Sequence, residues 1–170
     1  AKKPGNDFQR ECDEIILGFE TGSEAKEWET ALQWLVATGR IGDGPVPTRK
    51  VLVLVNPVGG KGKAKKIYTE KVLPMLKLSH VEVEKMETTH MFHARDHVAK
   101  CPLEELFDGV VTVSGDGLLN EVVQGMMLRE DSALARKIPI AAIPGGSGNG
   151  LAVSLKTPCP ISATWNVIKG

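Results

Sequence analysis

Three short stretches of this chain combine glycine with residues that can hold or transfer charge. In Ser114-Gly115-Asp116-Gly117 an acid is flanked by two glycines, so a substrate could approach the backbone on either side of Asp116. In Asn56-Pro57-Val58-Gly59-Gly60-Lys61-Gly62-Lys63, two lysines supply point charges among glycines. Pro144-Gly145-Gly146-Ser147-Gly148-Asn149-Gly150 adds the hydrogen-bonding groups of Ser147 and Asn149. Glycine permits positive φ and close backbone approach, and a glycine turn that opens a helix presents free N–H groups and a positive dipole end. Such a set suits a polyphosphate. Neither common fingerprint is met, because the lysines lack the Walker spacing and no G-x-G-x-x-G occurs.

Each stretch follows an apolar run that reads as a buried strand, at 50–55, 109–113 and 138–143. After Asp116, apolar residues recur at 118, 119, 122, 123 and 126, which is helical spacing. A helix is expected over 64–77 after the first loop, and a short one opens at Leu151 after the third. Between them, 81–84 alternates as a further strand ended by Thr88 and Thr89. A helix over 92–100 and a helical turn at 103–107 follow, and a last helix covers 161–168. Repeated strand–turn–helix units with buried strands predict a three-layer α/β/α fold with a mostly parallel sheet. In such a sheet the loops leaving the carboxyl ends of the strands share one edge, so the three glycine loops are expected to converge there.

Composition excludes several function classes. Lys plus Arg equals Asp plus Glu, 21 each, so no global field points to nucleic acid or an anionic membrane. Cys12, Cys101 and Cys159 are odd in number and far apart, the pattern of reduced thiols rather than of zinc or a disulfide framework. No apolar stretch approaches the ~20 residues of a membrane span, and no signal-peptide core opens the chain. With no initiator Met, the sequence reads as a piece of a longer protein.

Asn-Pro-Val-Gly-Gly-Lys-Gly-Lys-Ala (56–64), Ser-Gly-Asp-Gly-Leu-Leu-Asn-Glu-Val-Val (114–123) and Pro-Gly-Gly-Ser-Gly-Asn-Gly (144–150) occur in order. Together they resemble the nucleotide-binding half of the diacylglycerol-kinase-like lipid kinases, over about residues 49–157. The Ser before Gly-Asp-Gly, the Gly-Ser-Gly-Asn form, Thr88 and His93-Ala94-Arg95 are most similar to the sphingosine (long-chain-base) kinases. The resemblance implies ATP and Mg2+ as cofactors and a sphingoid base as lipid substrate. It implies Asp116 as the acid that takes or orients the lipid hydroxyl proton, with Gly115 and Gly117 shaping the turn. Asn56, Gly60, Lys61, Lys63, Thr88, Ser114, Glu121 and Ser147 are implied as ATP-site positions; the magnesium ligands stay unassigned. Val58 departs from the pattern, where many sphingosine kinases carry Arg. The resemblance also implies a second, mostly β lobe beyond Gly170, peripheral membrane contact, a cytoplasmic location and no nucleic-acid partner. Diacylglycerol or ceramide as acceptor, or a noncatalytic nucleotide-binding module, remain as alternatives.

The domain boundary falls near 48. Residues 1–14 are polar, 15–19 could be a strand, and Thr21-Gly22-Ser23-Glu24 has capping-box spacing. The following helix sets Trp28, Ala31, Leu32, Leu35 and Val36 on one stripe and stops at Gly39, before a Gly/Pro linker at 42–47. A strand followed by a helix with an early Trp resembles the end of a pleckstrin-homology domain. An amphipathic helix packed on the next domain explains the same pattern and is preferred, with Trp28 in the core. Lys65 and Lys66 read as a solvated helix face, Met126 and Met127 as core filling, and His80, His90 and His97 lack partners at metal spacing.

Overall fold

The structure is a computed structural model that describes residues 16–38, 45 and 48–169, the side chains of 60 and 61 excepted. The residue stretches 1–14 and 39–44, with most of the expected linker, lie outside the described residues. Four strands, β1 (Arg49–Val55), β2 (Val81–Glu87), β3 (Gly109–Ser114) and β4 (Ile140–Pro144), form one all-parallel sheet in the order β2-β1-β3-β4. Between and after them run α2 (Gly59–Gly62), α3 (Ala64–Ile67), a π-helical turn (Tyr68–Val72), α4 (Leu73–Leu78), α5 (His93–Lys100), α6 (Leu103–Leu106), α7 (Asp116–Met127), α8 (Ser132–Ala135), α9 (Gly150–Ser154) and α10 (Pro160–Lys169). The expected α/β/α layering is observed.

Alternation along the strands builds two cores. Val51, Val53, Val55, Val111, Val113 and Ile143 face α3, α4 and α10. Leu52, Leu54 and Val110 face α5, α6, α7 and α8. Both inner strands are buried along nearly their whole length, which is why they read as unbroken β-branched runs in the sequence.

Several boundaries differ from expectation for identifiable reasons. The helix expected over 64–77 is interrupted because Pro74 has no N–H to give the carbonyl four residues back; Leu73 N–H instead bonds Tyr68 O, five residues back. Strand β2 continues to Glu87 because it stays in register with β1, Val55 opposite Glu87, although Lys85 and Glu87 are charged. Helix α7 starts at Asp116 itself. The helix α8 was not anticipated: its four residues are too few to show a period. Met126 is buried, but Met127 is exposed.

At the amino-terminal side, α1 (Gly22–Thr38) opens with the expected capping box. Glu24 N–H donates to Thr21 Oγ1 (3.2 Å) and Thr21 N–H to Glu24 Oε2 (3.3 Å). No strand forms at residues 16–19. The apolar stripe is not buried either, since α1 touches the domain mainly through α10. Trp28 is 55% exposed, and Leu32, Leu35 and Val36 are similarly open, so Trp28 is not a core residue.

Candidate active site

Because all four strands are parallel, Asn56, Thr88, Ser114 and Pro144 lie at the same edge of the sheet. The register sets Val55 opposite both Glu87 and Val113, and Ser114 opposite Pro144. The three glycine loops therefore meet. Asn56 shapes the first: its Oδ1 accepts from Val58 N–H (3.1 Å) and Gly59 N–H (3.0 Å), and its own N–H donates to Val113 O (3.4 Å). This side-chain turn lets α2 start inside the loop. A Cβ on Gly59 would lie 2.8 Å from Ser114 Oγ, so the first loop sits directly on the second. Lys63 is exposed between α2 and α3, free to reach a ligand at this edge. Gly60 and Lys61 belong to α2.

The second and third loops pack backbone on backbone. Gly145 N–H donates to Ser114 O (2.9 Å) and Asp116 N–H to Gly148 O (3.1 Å). A Cβ on Gly146 would fall 2.3 Å from both Gly115 Cα and N, and one on Gly115 2.5 Å from Gly148 O. Only glycine fits on either side of this seam. Asn149 closes the third loop on itself, its Oδ1 accepting from Gly146 N–H (3.2 Å) and its Nδ2 donating to Gly146 O (2.8 Å). Gly117, by contrast, has nothing within 4 Å of an added Cβ; its freedom is not required by contact.

Asp116 ties the seam together. Its Oδ2 accepts from Gly150 N–H (2.7 Å) and its Oδ1 from Leu151 N–H (3.3 Å), so the carboxylate caps the first turn of α9. The residue is exposed, and each oxygen keeps a further lone pair for a ligand. Ser147 is exposed on the same loop, while Ser114 is buried beneath it. Glu121 sits further along α7 and is half-buried, with Oε2 buried and lacking a hydrogen-bond partner. A buried carboxylate oxygen without a partner is costly and suits a ligand donor.

Thr88 is buried at the carboxyl end of β2, its N–H bonded to Val55 O (2.9 Å). Beside it, the hydrogen bond from Lys85, with Lys65 adding a second, holds the Glu87 carboxyl below the usual carboxylate range. Lys65 thus pairs with Glu87, and Lys66 with Glu70, as expected of a solvated helix face. His93 Nδ1 accepts from Thr89 N–H (3.1 Å) and so shapes the turn into α5. Among the described residues no group of three His, Cys, Asp or Glu could hold a metal ion. The sequence marks Asn149 as a hydrogen-bonding group of the site, and the structure turns that group onto its own loop; the close approach of Gly146 to Gly115 is a contact the sequence does not reveal, although the run of glycines is visible.

The family model described as "Diacylglycerol kinase catalytic domain" matches residues 50–170. Sphingosine kinase 1 of Arabidopsis thaliana is 42% identical over 81% of this chain and 28% of its own length. Sphingosine kinase 1 of Rattus norvegicus is 48% identical over 65% of this chain and 28% of its own. A solved structure described as a putative diacylglycerol kinase from Bacillus anthracis str. Sterne superposes with a TM-score of 0.57 at 26% identity, covering 71% of this chain and 41% of that one. The chain therefore spans only about a third of the length of the curated relatives it matches. With three converging glycine loops and a match over most of its length, this chain belongs to the diacylglycerol kinase catalytic domain family.

Proposed function

We propose that the full-length protein carrying this chain transfers the γ-phosphoryl group of ATP to the primary hydroxyl of a sphingoid base, and that residues 49–169 are its nucleotide-binding part. The observation that carries this reading is the seam at Asp116, where one carboxylate is fixed by two backbone N–H groups among three glycine loops. Asn56, Gly60, Lys61, Lys63, Thr88, Ser114, Gly115 and Ser147, from the strand ends and glycine loops, and Glu121 of α7 take the nucleotide. Phosphoryl transfer asks mainly for positioning and charge stabilisation, which rigid loops and lysines supply. Asp116 takes the acceptor's hydroxyl proton through a lone pair that α9 does not use.

Mg2+ fits this edge as the companion of a nucleotide. It binds through one or two carboxylates, substrate phosphates and water, so the lack of a three-ligand cluster among the described residues is compatible with it. Glu121, whose buried Oε2 has no hydrogen-bond partner, is the acid that would hold it, and its contribution would be to neutralise phosphate charge. Because the acceptor is a lipid, the protein works as a cytoplasmic enzyme in peripheral contact with a membrane, completed by a second lobe. Among the described residues no helix is long and apolar enough to cross a bilayer.

Diacylglycerol or ceramide as acceptor is the second reading, and the description of the bacterial structural neighbour favours diacylglycerol of the two. Ser114 before Gly-Asp-Gly, together with the names of the sequence relatives, favours the sphingoid base. Full-length protein offered labelled ATP with sphingosine, ceramide and diacylglycerol in parallel decides among them. Phosphorylation of diacylglycerol in preference to sphingosine would overturn the reading. A protein that binds ATP without labelling any of the three is a nucleotide-binding module.

A further inference from the structure

The corner that joins β2 to α5 is held by side chains rather than by its backbone. Thr88 closes the ladder between β1 and β2, its N–H donating to Val55 O (2.9 Å). One residue on, Thr89 N–H has no backbone acceptor among the described residues and donates to His93 Nδ1 instead (3.1 Å). Thr89 Oγ1 bridges two imidazoles, 2.9 Å from His90 Nδ1 and 3.3 Å from His93 Nδ1. The two rings stack, with centroids 4.7 Å apart and planes 14° from parallel. Between them in the chain Phe92 takes φ 63°, a left-handed conformation that a bulky side chain disfavours. The Arg95 guanidinium covers the Phe92 ring at 4.3 Å. A corner with a strained residue keeps its shape only while such ties hold.

One of these ties depends on a proton. A ring nitrogen accepts from an amide only through its lone pair, so the Thr89 bond requires a neutral His93 with its hydrogen on Nε2. Protonation places an N–H on Nδ1, directly facing Thr89 N–H, and the tie becomes a repulsion. His90 differs, because an Nδ1–H there donates to Thr89 Oγ1 and that bond survives when His90 is charged. Among the described residues no carboxylate pairs with His93 to favour a charge on it. On its own helix Arg95 pairs with Asp96, and Lys100 lies at the far end. Burial, and then His93, push the His97 imidazole below its ordinary range, so His97 stays neutral beside it. From β2, Glu84 acts on His97 and pairs with Lys50. From α7, which packs against α5, the acids are Asp116 and Glu121, and neither forms an ion pair with His93.

We propose that His93 is a positioning residue for the nucleotide: as the neutral imidazole it holds the corner at Thr88 and Thr89 in the shape the nucleotide requires, so that binding is coupled to loss of a proton from His93. This rests on the reading of Thr88 as a nucleotide position. The direction of the pH dependence separates the coupling from simple electrostatics. A new cation near a polyphosphate tightens binding as pH falls, whereas an opened corner loosens it. The attraction acts through solvent and is screened by salt, while the Thr89 bond is lost outright, so loosening wins.

The test titrates ATP into full-length wild type, His93→Asn and His90→Phe between about pH 5 and 8, the range in which imidazoles change charge. Asn sets its Oδ1 where Nδ1 stood and has nothing to titrate, while Phe keeps a ring in the stack. Relative to His93→Asn, wild-type affinity is expected to fall ~3–10-fold toward acid, the worth of one hydrogen bond. His90→Phe should keep the wild-type slope. Groups that titrate on ATP or elsewhere in the protein are common to all three and cancel in the comparison. Deuterium exchange of the unmodified protein, corrected for the intrinsic rate, needs no variant: the Thr89 amide should lose protection toward acid while Thr88 keeps it. Parallel slopes for wild type and His93→Asn, tighter wild-type binding in acid, or Thr89 protection that ignores pH overturns the role of His93 alone. A wild type that binds no ATP at any pH overturns the nucleotide reading, and the coupling with it.

Discussion

Asp116 caps α9 and is proposed to accept the hydroxyl proton, and a single substitution separates the two. In Asp116→Asn the amide oxygen can keep the shorter bond to Gly150 N–H, while Nδ2 opposes Leu151 N–H and loses the weaker one. The structural loss is about 1 kcal/mol, whereas loss of a positioned proton acceptor lowers the rate by ~10²–10⁴-fold. Full-length Asp116→Asn should retain ATP affinity and a near-native melting temperature with lipid phosphorylation reduced by that factor; equal turnover would remove Asp116 from the chemistry. Gly146 offers the converse case. Its added Cβ meets backbone at 2.3 Å, and neither Gly115 Cα nor N can rotate away. Gly146→Ala should therefore cost about 1–3 kcal/mol or more and weaken ATP binding by opening the seam, measured by thermal unfolding and nucleotide titration. A variant with wild-type stability would show the two loops to be loosely packed.

At the level of elements, α5 and α7 carry the site from behind. They meet at Gly125, where a Cβ would sit 2.6 Å from Arg95 O and 2.9 Å from Val98 Cβ. Gly125→Ala is expected to push the helices apart at a cost of about 1–3 kcal/mol, lowering the melting temperature. Arg129 locks the far end of the pair. Its buried side chain donates to Val98 O and Cys101 O, to Glu104 and to Asp131. The hydrogen bond from Arg129 holds the Asp131 carboxyl down to about 2, against an ordinary 3.8. A depressed folded value means that the unfolded chain takes up the proton first as pH falls. The contribution of this pair is thus complete above 3.8 and is lost between 3.8 and about 2. Melting curves taken down through that window should show Asp131→Asn with a flatter acid limb than the parent; parallel limbs would mean the pair contributes nothing.

For the whole molecule, the proposed reading gives this part of the protein the phosphoryl donor alone. Phosphoryl transfer needs acceptor hydroxyl and γ-phosphate held in line, and the matched region is a minor part of each relative. Residues 1–170 alone are expected to bind ATP weakly and to phosphorylate no sphingosine in a labelled-phosphate assay. Turnover by that fragment would show that the lipid site is contained within it. The exposed stripe of α1 and the bare edge of β4 belong to the same account, since both are apolar surfaces that this part of the protein leaves uncovered.

The sequence by itself determined the fold class, the convergence of the three loops and the identity of Asp116 as the acid among them. Parallel strands buried on both faces leave uninterrupted β-branched runs, and glycine turns that open helices are local features, so both are legible without coordinates. Short-range capping was equally visible, as Thr21 and Glu24 demonstrate. Tertiary structure alone decided the rest, because those features depend on residues distant in the chain. That Gly146 must be glycine follows from Gly115 lying against it, whereas no protein atom crowds Gly117. Asp116 reaches the start of α9, more than thirty positions along the chain, a bond no local pattern announces. The exposure of Trp28 likewise depended on how much of α1 its neighbours cover. Helical period shows which side of a helix is apolar; only packing shows whether anything lies against it.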